Sequence, residues 1–396
     1  MKPSIYVPPR LPPELHRPTF AEVDLGAIAH NVRSIRGRIG ARRGLMAVVK
    51  ADAYGHGARE VARVALESGA DWLGVALPEE GWALREEGIR APTLVLGPTF
   101  PSQSRMILEA DLVVGLFTWE VARSLDEHAG SMGKRAVVHV KVDTGMGRIG
   151  VPARDVIAFL EALKGLRHLE VQGIYTHFAT ADHPDSSFTR RQMDDFMEIC
   201  REAASRGIRI PMKHLSNSAA ILQHPEAFQD LVRPGIMIYG CYPSAVVQRS
   251  MELRPAMTLR TRVALVKDLQ PGESLSYGRT FVASRPTRVG TLPIGYADGL
   301  SRSHSNRGEV LICGRRAPII GTICMDMTLV DITHIPEAGV GDEAVIFGRQ
   351  GSGQISVEEV AERIGTVSYE ILCSVGARVP RLYLGGERVK GKGGEV

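Results

Sequence analysis

The sequence predicts a two-domain α/β protein, with an N-terminal (β/α)8 barrel followed by a C-terminal, mostly antiparallel β-domain. Three observations predict it. The 396 residues exceed what one hydrophobic core usually organises. From Arg17 to about Tyr239, short apolar runs alternate with helix-like stretches, the pattern of βαβ units on a parallel sheet. After about Met251 the runs become rich in β-branched residues and are divided by Gly and Pro, as in a β-domain. The division reads as an extension over 1–16, a barrel over 17–250 and a β-domain over 251–396.

A helix is predicted over 25–38, ahead of the first run. Eight runs then follow in order: MAVVK (46–50), WLGVAL (72–77), TLVLG (93–97), LVVGL (112–116), AVVHVKV (136–142), VQGIYTHF (171–178), MKHLS (212–216) and VRPGIMIYG (232–240). Eight fit a closed barrel better than an open sheet. Helices are predicted between them, for instance over 58–68, 152–163 and 189–205. In the β-domain the strand-like stretches are MTLRTRVALVKDL, RVGTLPIGYADGL, EVLICGRRAPIIGTICMDMTLVDI and DEAVIFG, with short helices over 357–365 and 368–373.

Composition excludes several classes. Hydrophobic residues make 44% and charged residues 23%, with a formal net charge of +4, an ordinary globular balance. The richest basic stretch, Arg33, Arg36, Arg38, Arg42 and Arg43, has no interleaved aromatics, so no nucleic-acid partner is expected. The five cysteines form no CxxC pair and point to a reduced, cytoplasmic protein without a zinc site. The proline-rich N-terminus lacks an apolar segment and is not expected to be a signal peptide. No run has transmembrane length, so no membrane is expected.

AVVKADAYGHG (47–57) raises the functional question, because a lysine closes a buried strand. At the C-terminal end of a barrel strand a lysine is partly desolvated and held, which is what a covalent amine catalyst needs. Arg148, His177, Asn217 and Arg233 fall at corresponding strand ends. Two motif matches carry no function. Gly145-Met-Gly-Arg-Ile-Gly150 fits GxGxxG, but the next strand lacks the acid that a dinucleotide site wants at its end. Ser131-Met-Gly-Lys134 fits SxxK without its companion motifs. Asp182, His183 and Asp185 have no metal-ligand spacing, and no metal is expected.

AVVKADAYGHG, VDTGMGRIG, THFATAD, SNSAA, VRPGIMIYG, YGRTF, GYADG and CMDM together resemble the alanine racemase family, from about Arg17 to Tyr383. The first sixteen residues have no counterpart in the resemblance. It implies pyridoxal 5'-phosphate (PLP) as cofactor, alanine as substrate, D-alanine metabolism linked to peptidoglycan, and a homodimer with shared active sites. It implies Lys50 as the residue that bonds the cofactor aldehyde and serves as one base, and Tyr277, lent by the partner subunit, as the other. Tyr54, Asn217, Ser218, Gly235, Ile236 and Tyr369 are implied at the cofactor, most of them at its phosphate. Arg233 is implied at the pyridine nitrogen and His177 at the ring. Arg148, Tyr296, Met325 and Asp326 are implied on the substrate side, and Lys141 as a carboxylated lysine that orients Arg148. An arginine cannot donate a full proton to the ring nitrogen, which weakens the electron sink and suits racemisation over transamination.

Three other readings share parts of this pattern. A racemase of serine or broader specificity would keep the same motifs. A non-catalytic PLP-holding protein would lack the β-domain. A PLP-dependent decarboxylase would want an acid in place of Arg233.

Overall fold

The computed structural model describes residues 17–385; the predicted extension over 1–16 lies outside them. Two compact units emerge, Ala27–Arg254 and a second unit that joins the N-terminal segment through Gly26 to Pro255 onward.

The first unit is the predicted barrel. Its strands, numbered after β1 (Phe20–Asp24) of the other unit, are β2 (Gly44–Val48), β3 (Trp72–Val75), β4 (Thr93–Val95), β5 (Val113–Leu116) and β6 (Ala136–Asp143). The short β7 (Val151–Pro152) follows, then β8 (Leu169–Tyr175), β9 (Met212–His214) and β10 (Leu231–Val232). All pair in parallel, in the order β10-β2-β3-β4-β5-β6-β8-β9, with β7 on the side of β6. The remaining gap between β9 and β10 is stitched by Asp230 N–H to the Lys213 carbonyl, 3.0 Å, and Arg233 N–H to the Ser216 carbonyl, 2.9 Å. Helices Ala58–Glu67, Pro78–Glu86, Trp119–Ser131, Val156–Leu163 and Ser187–Ser205 lie between strands.

The barrel interior has two layers of different chemistry. Met46, Trp72, Leu94, Val113 and Leu231, joined by Val137 and Met212, fill one with apolar side chains. Towards the C-terminal strand ends the buried residues turn polar: His139, Lys141, Tyr175, His214 and Arg233. Barrel cores are ordinarily filled by branched apolar residues, so this second layer marks the functional end.

The second unit holds the β-domain. Its principal sheet runs β17 (Arg315–Pro318), β16 (Glu309–Ile312), β19 (Glu343–Gln350), β11 (Met257–Arg262), β1, β21 (Arg381–Leu384), with β20 (Gly353–Ile355) beside β19. Strands β12 (Leu265–Leu269), β15 (Thr287–Leu292) and β18 (Thr328–Asp331) form an antiparallel sheet, and β13 (Ser274–Leu275) pairs with β14 (Phe281–Val282). The predicted boundary at 17 differs here. Phe20–Asp24 pairs antiparallel with β11 and parallel with β21, so the first strand belongs to the β-domain sheet. Its alternating FAEVD pattern is that of a sheet strand, but which sheet it joins is a long-range choice. Arg260, buried between Glu22 and Glu343, pins this strand by charge.

Candidate active site

The lysine turn explains AVVKADAYGHG residue by residue. Lys50 follows β2 after one residue, Val49, and Ala51, Asp52, Ala53 and Tyr54 all adopt left-handed backbone angles, φ 50–53°. Such a run of four non-glycine residues costs about 1–2 kcal/mol per residue and persists only where its surroundings enforce it. Here Glu80 accepts from Ala51 N–H at 2.7 Å, and the Asp52 carboxylate accepts from Ala58 N–H at 2.7 Å. His56 closes the turn through Nδ1, 3.0 Å from both the Ala53 and Tyr54 carbonyls, and stacks on Tyr239. The sequence anticipated a strand closed by Lys50 and broken by glycines; the reversed hand of the turn was not legible.

Tyr54 is buried, and a Cβ on residue 235 would come to 2.6 Å from its hydroxyl, so a side chain there would have to displace Tyr54. Gly235 N–H donates to Ser218 Oγ at 2.8 Å. Asn217 caps the short helix Ser218–Gln223 by accepting from Ala220 N–H. Ile236 is fully buried at the start of the turn that follows. Tyr54, Asn217, Ser218, Gly235 and Ile236 thus follow the C-terminal ends of three strands, β2, β9 and β10.

Arg233 is 4% exposed. Its Nη1 meets His214 Nδ1 at 2.9 Å, and its Nη2 donates to the Thr176 and Leu215 carbonyls at 2.8 and 3.0 Å, with His177 Nδ1 at 3.4 Å. It also lies over the Tyr175 ring, 5.3 Å away. Burial lowers its pKa to about 10, still well above neutrality. Burial and then Arg233 and Arg148 hold His177 well below the usual imidazole range, so it is neutral. Lys141, also over Tyr175, is pushed down to about 7 by burial, then by Arg148 and Arg233.

The GxGxxG stretch is a turn: the Asp143 carboxylate accepts from both Gly145 and Gly147 N–H, and no helix follows directly. This turn carries Arg148, which is exposed. His183 and Asp185 bond to each other across an exposed loop, the Asp185 carboxylate also accepts from Ser187 N–H, and among the described residues no cluster is placed to hold a metal.

In the second unit, Tyr277 is 73% exposed. Ser276 before it sits at φ 61°, ψ −176°, a region that L-residues avoid, and Arg279 is also left-handed. Thr322 holds this segment from both sides, its carbonyl accepting from Ser276 Oγ and its hydroxyl donating to the Tyr277 carbonyl at 2.9 Å. Met325 and Tyr296 are exposed nearby in the chain's turns, and the two segments are locked because Tyr296 and Ala297 N–H donate to the Cys324 and Met325 carbonyls. Asp326 pairs with Arg378 at 2.7 Å. Tyr369 is half-buried in helix Ser368–Ser374.

His139, His214, Tyr175 and Thr176 were not singled out from the sequence. The available signal was polar residues within apolar runs, His139 and Lys141 at alternating positions in β6 and His214 in β9, which put polar groups inside a barrel.

Residues 23–243 match the family model of the alanine racemase N-terminal domain, and residues 256–383 that of the C-terminal domain. An alanine racemase of Desulforamulus reducens is 47% identical, covering 94% of this chain and 100% of that protein. One from Symbiobacterium thermophilum is 48% identical, covering 94% and 98%. Among solved structures, the alanine racemase of Clostridium difficile 630 matches with a TM-score of 0.90 at 37% identity, covering 94% of this chain and 97% of that one. That of the D-cycloserine producer Streptomyces lavendulae matches at 0.89 and 39%, covering 96% and 99%. With both domain models in order along one chain and relatives matched nearly end to end, this chain belongs to the alanine racemase family and is an isomerase.

Proposed function

We propose that the chain interconverts L- and D-alanine with PLP bonded through Lys50, using Lys50 and Tyr277 of a partner subunit as two bases on opposite faces. The observation that carries this reading is the polar layer at the barrel's C-terminal end, with its buried, donor-only Arg233 guanidinium, together with Lys50 on a braced turn after β2.

The residues fit the cofactor. Hydroxyls of Tyr54 and Ser218 converge on Gly235, where a Cβ would collide, which suits close approach of a phosphate to backbone. Tyr369 is assigned to the same phosphate, Asn217 and Ile236 to the walls around it. Arg233 offers N–H groups only, so an unprotonated ring nitrogen is its natural acceptor. Neutral His177 can pack on the ring without adding charge. When bound, PLP would supply an electron-withdrawing group conjugated to the substrate nitrogen, which would make the Cα proton acidic.

The chain's own residues then move that proton. The Lys50 amine removes or returns it on one face of Cα, and the Tyr277 phenol does so on the other. One base would have to swing around the substrate, whereas two fixed bases need no such motion. Arg148 holds the substrate carboxylate, and Tyr296, Met325 and Asp326 shape its entrance. Lys141 carries a carbamate that orients Arg148. An amine with pKa about 7 is half neutral at neutral pH and so can attack CO2; a free lysine is neutral in fewer than about one molecule in a thousand. The carbamate would also balance the positive charge of Arg148 and Arg233.

The proposal further places the protein in the cytoplasm, where its five cysteine thiols stay reduced, and its D-alanine in peptidoglycan metabolism. The test is direct. Purified protein loaded with PLP is given each L-amino acid and the D-product is resolved by chiral chromatography, then borohydride is added and the labelled peptide sequenced. D-alanine should dominate and the label should sit on Lys50. Faster turnover of serine would transfer the reading to a serine or broad-specificity racemase, and a label elsewhere would remove Lys50 from its role.

A further inference from the structure

A row of buried side chains crosses the barrel from its apolar end to Arg233. Arg233 Nη1 lies 2.9 Å from His214 Nδ1, His214 Nε2 lies 2.8 Å from His139 Nδ1, and His139 Nε2 lies 3.2 Å from Gln172 Oε1. Both histidines are fully buried. Gln172 lines a cavity of about 620 Å³ at the N-terminal strand ends, together with Trp72, Trp82, Arg85 and Asp111.

Proton accounting allows this row one arrangement. A guanidinium only donates, so His214 Nδ1 must accept and its hydrogen sits on Nε2. That hydrogen points at His139 Nδ1, which must therefore accept as well. His139 then carries its hydrogen on Nε2 and donates to the Gln172 carbonyl oxygen. A second proton on either ring would set two donors face to face. Burial and the Arg233 charge oppose such a proton, lowering His139 to about 4 and His214 well below the usual range. The other groups facing these rings are Tyr175, stacked on His214 at 4.7 Å, and Trp72, tilted against His139 at 5.4 Å; the next titratable group on β6 is Lys141, two residues along from His139.

The fold makes room for His139 specifically. The β6–β8 register shifts between Val138 and His139, and a Cβ on Gly173 opposite would come to 2.7 Å from the His139 ring. A bulge and a glycine thus seat a polar ring where a barrel ordinarily packs an aliphatic one.

We infer that Gln172 and His139 are positioning residues for the racemisation: through a one-way hydrogen-bond chain they fix the Nε2–H tautomer of His214, which holds Arg233 in place. The consequence for catalysis rests on the proposed role of Arg233, but the tautomers are measurable without it.

The test uses full-length, PLP-loaded protein labelled with 15N-histidine and read by long-range proton–nitrogen correlation at neutral pH. Two neutral rings with hydrogen on Nε2 and an accepting Nδ1 are expected for His139 and His214, His139 being the one most shifted by change at Gln172. Gln172→Met keeps the shape and removes the acceptor. It should bring a mixture of tautomers at His214 and a roughly tenfold to hundredfold fall in kcat with little change in KM. An Nδ1–H or doubly protonated ring at either position in the wild-type protein overturns the chain. Wild-type tautomers together with wild-type kcat in Gln172→Met overturn the role of Gln172. Altered tautomers with unchanged kcat leave the chain standing and overturn its link to Arg233.

Discussion

At the scale of single residues, burial lowers two pKa values that bear on the proposed chemistry. Lys141 is held near 7, mainly by burial. Between about 7 and its ordinary 10.5, the unfolded chain binds a proton that the folded chain lacks, so this group makes stability rise with pH across that window. In CO2-free buffer, Lys141→Met should flatten that rise, as measured by denaturant unfolding at several pH values. In CO2-equilibrated protein, mass spectrometry or carbon NMR should find the carbamate on Lys141. Lys141→Ala should lose roughly tenfold or more in kcat and recover part of it with added acetate. No rescue, with a bare amine in the wild type, removes the carbamate from the reading. Arg233 stays charged, since its pKa of about 10 lies above the working range. Arg233→Glu should slow racemisation roughly a hundredfold, add long-wavelength absorption in the presence of alanine and raise transamination, measured as pyruvate formed. Unchanged spectra and rate would show that the guanidinium does not tune the ring.

At the scale of elements, the left-handed turn after β2 and the avoided conformation at Ser276 are the two outliers nearest to the proposed bases. Backbone strain at such places marks segments that the surrounding fold over-determines. Ala51 is exposed, and its N–H is bonded to Glu80. Ala51→Gly removes the steric cost without removing packing, so it should stabilise the protein by about 1 kcal/mol, where the same change in an ordinary helix destabilises it. Thermal unfolding of the two proteins side by side decides this; a lower melting temperature in the variant contradicts a strained turn. Lys50 lies at the start of this turn, so relief of strain should also loosen it and lower kcat more than stability changes would suggest.

At the scale of the whole molecule, the two proposed bases belong to different compact units, Lys50 to the barrel and Tyr277 to the β-domain. The proposed dimer sets each β-domain over its partner's barrel mouth, which completes two sites at once and keeps water from the reacting carbon. The exposed Tyr277, Tyr296, Met325 and Met327 give that face an apolar, aromatic character suited to being covered. Subunit mixing tests it. Lys50→Ala and Tyr277→Phe, each nearly inactive, are unfolded and refolded together. A mixed dimer then has one site without either base and one site with both, so activity should return. Mixtures shown to contain heterodimers yet as inactive as their parents would rule out the shared site.

The sequence by itself determined the barrel strands, the helices between them, the change to a β-domain after Met251 and the candidate lysine, because periodicity and turn residues are local properties. Val357–Arg363 and Ser368–Ser374 were legible as short helices for the same reason. Tertiary structure alone decided where Phe20–Asp24 pairs, because its partners β11 and β21 lie more than two hundred residues away in sequence. It alone decided the hand of the Lys50 turn, which depends on Glu80 and Asp52 reaching back to specific N–H groups. It also decided that His139, His214 and Arg233 form one row, since three strand positions become neighbours only when the sheet closes. A hydrogen-bond chain has no sequence period, and its direction follows from which donor stands at its end.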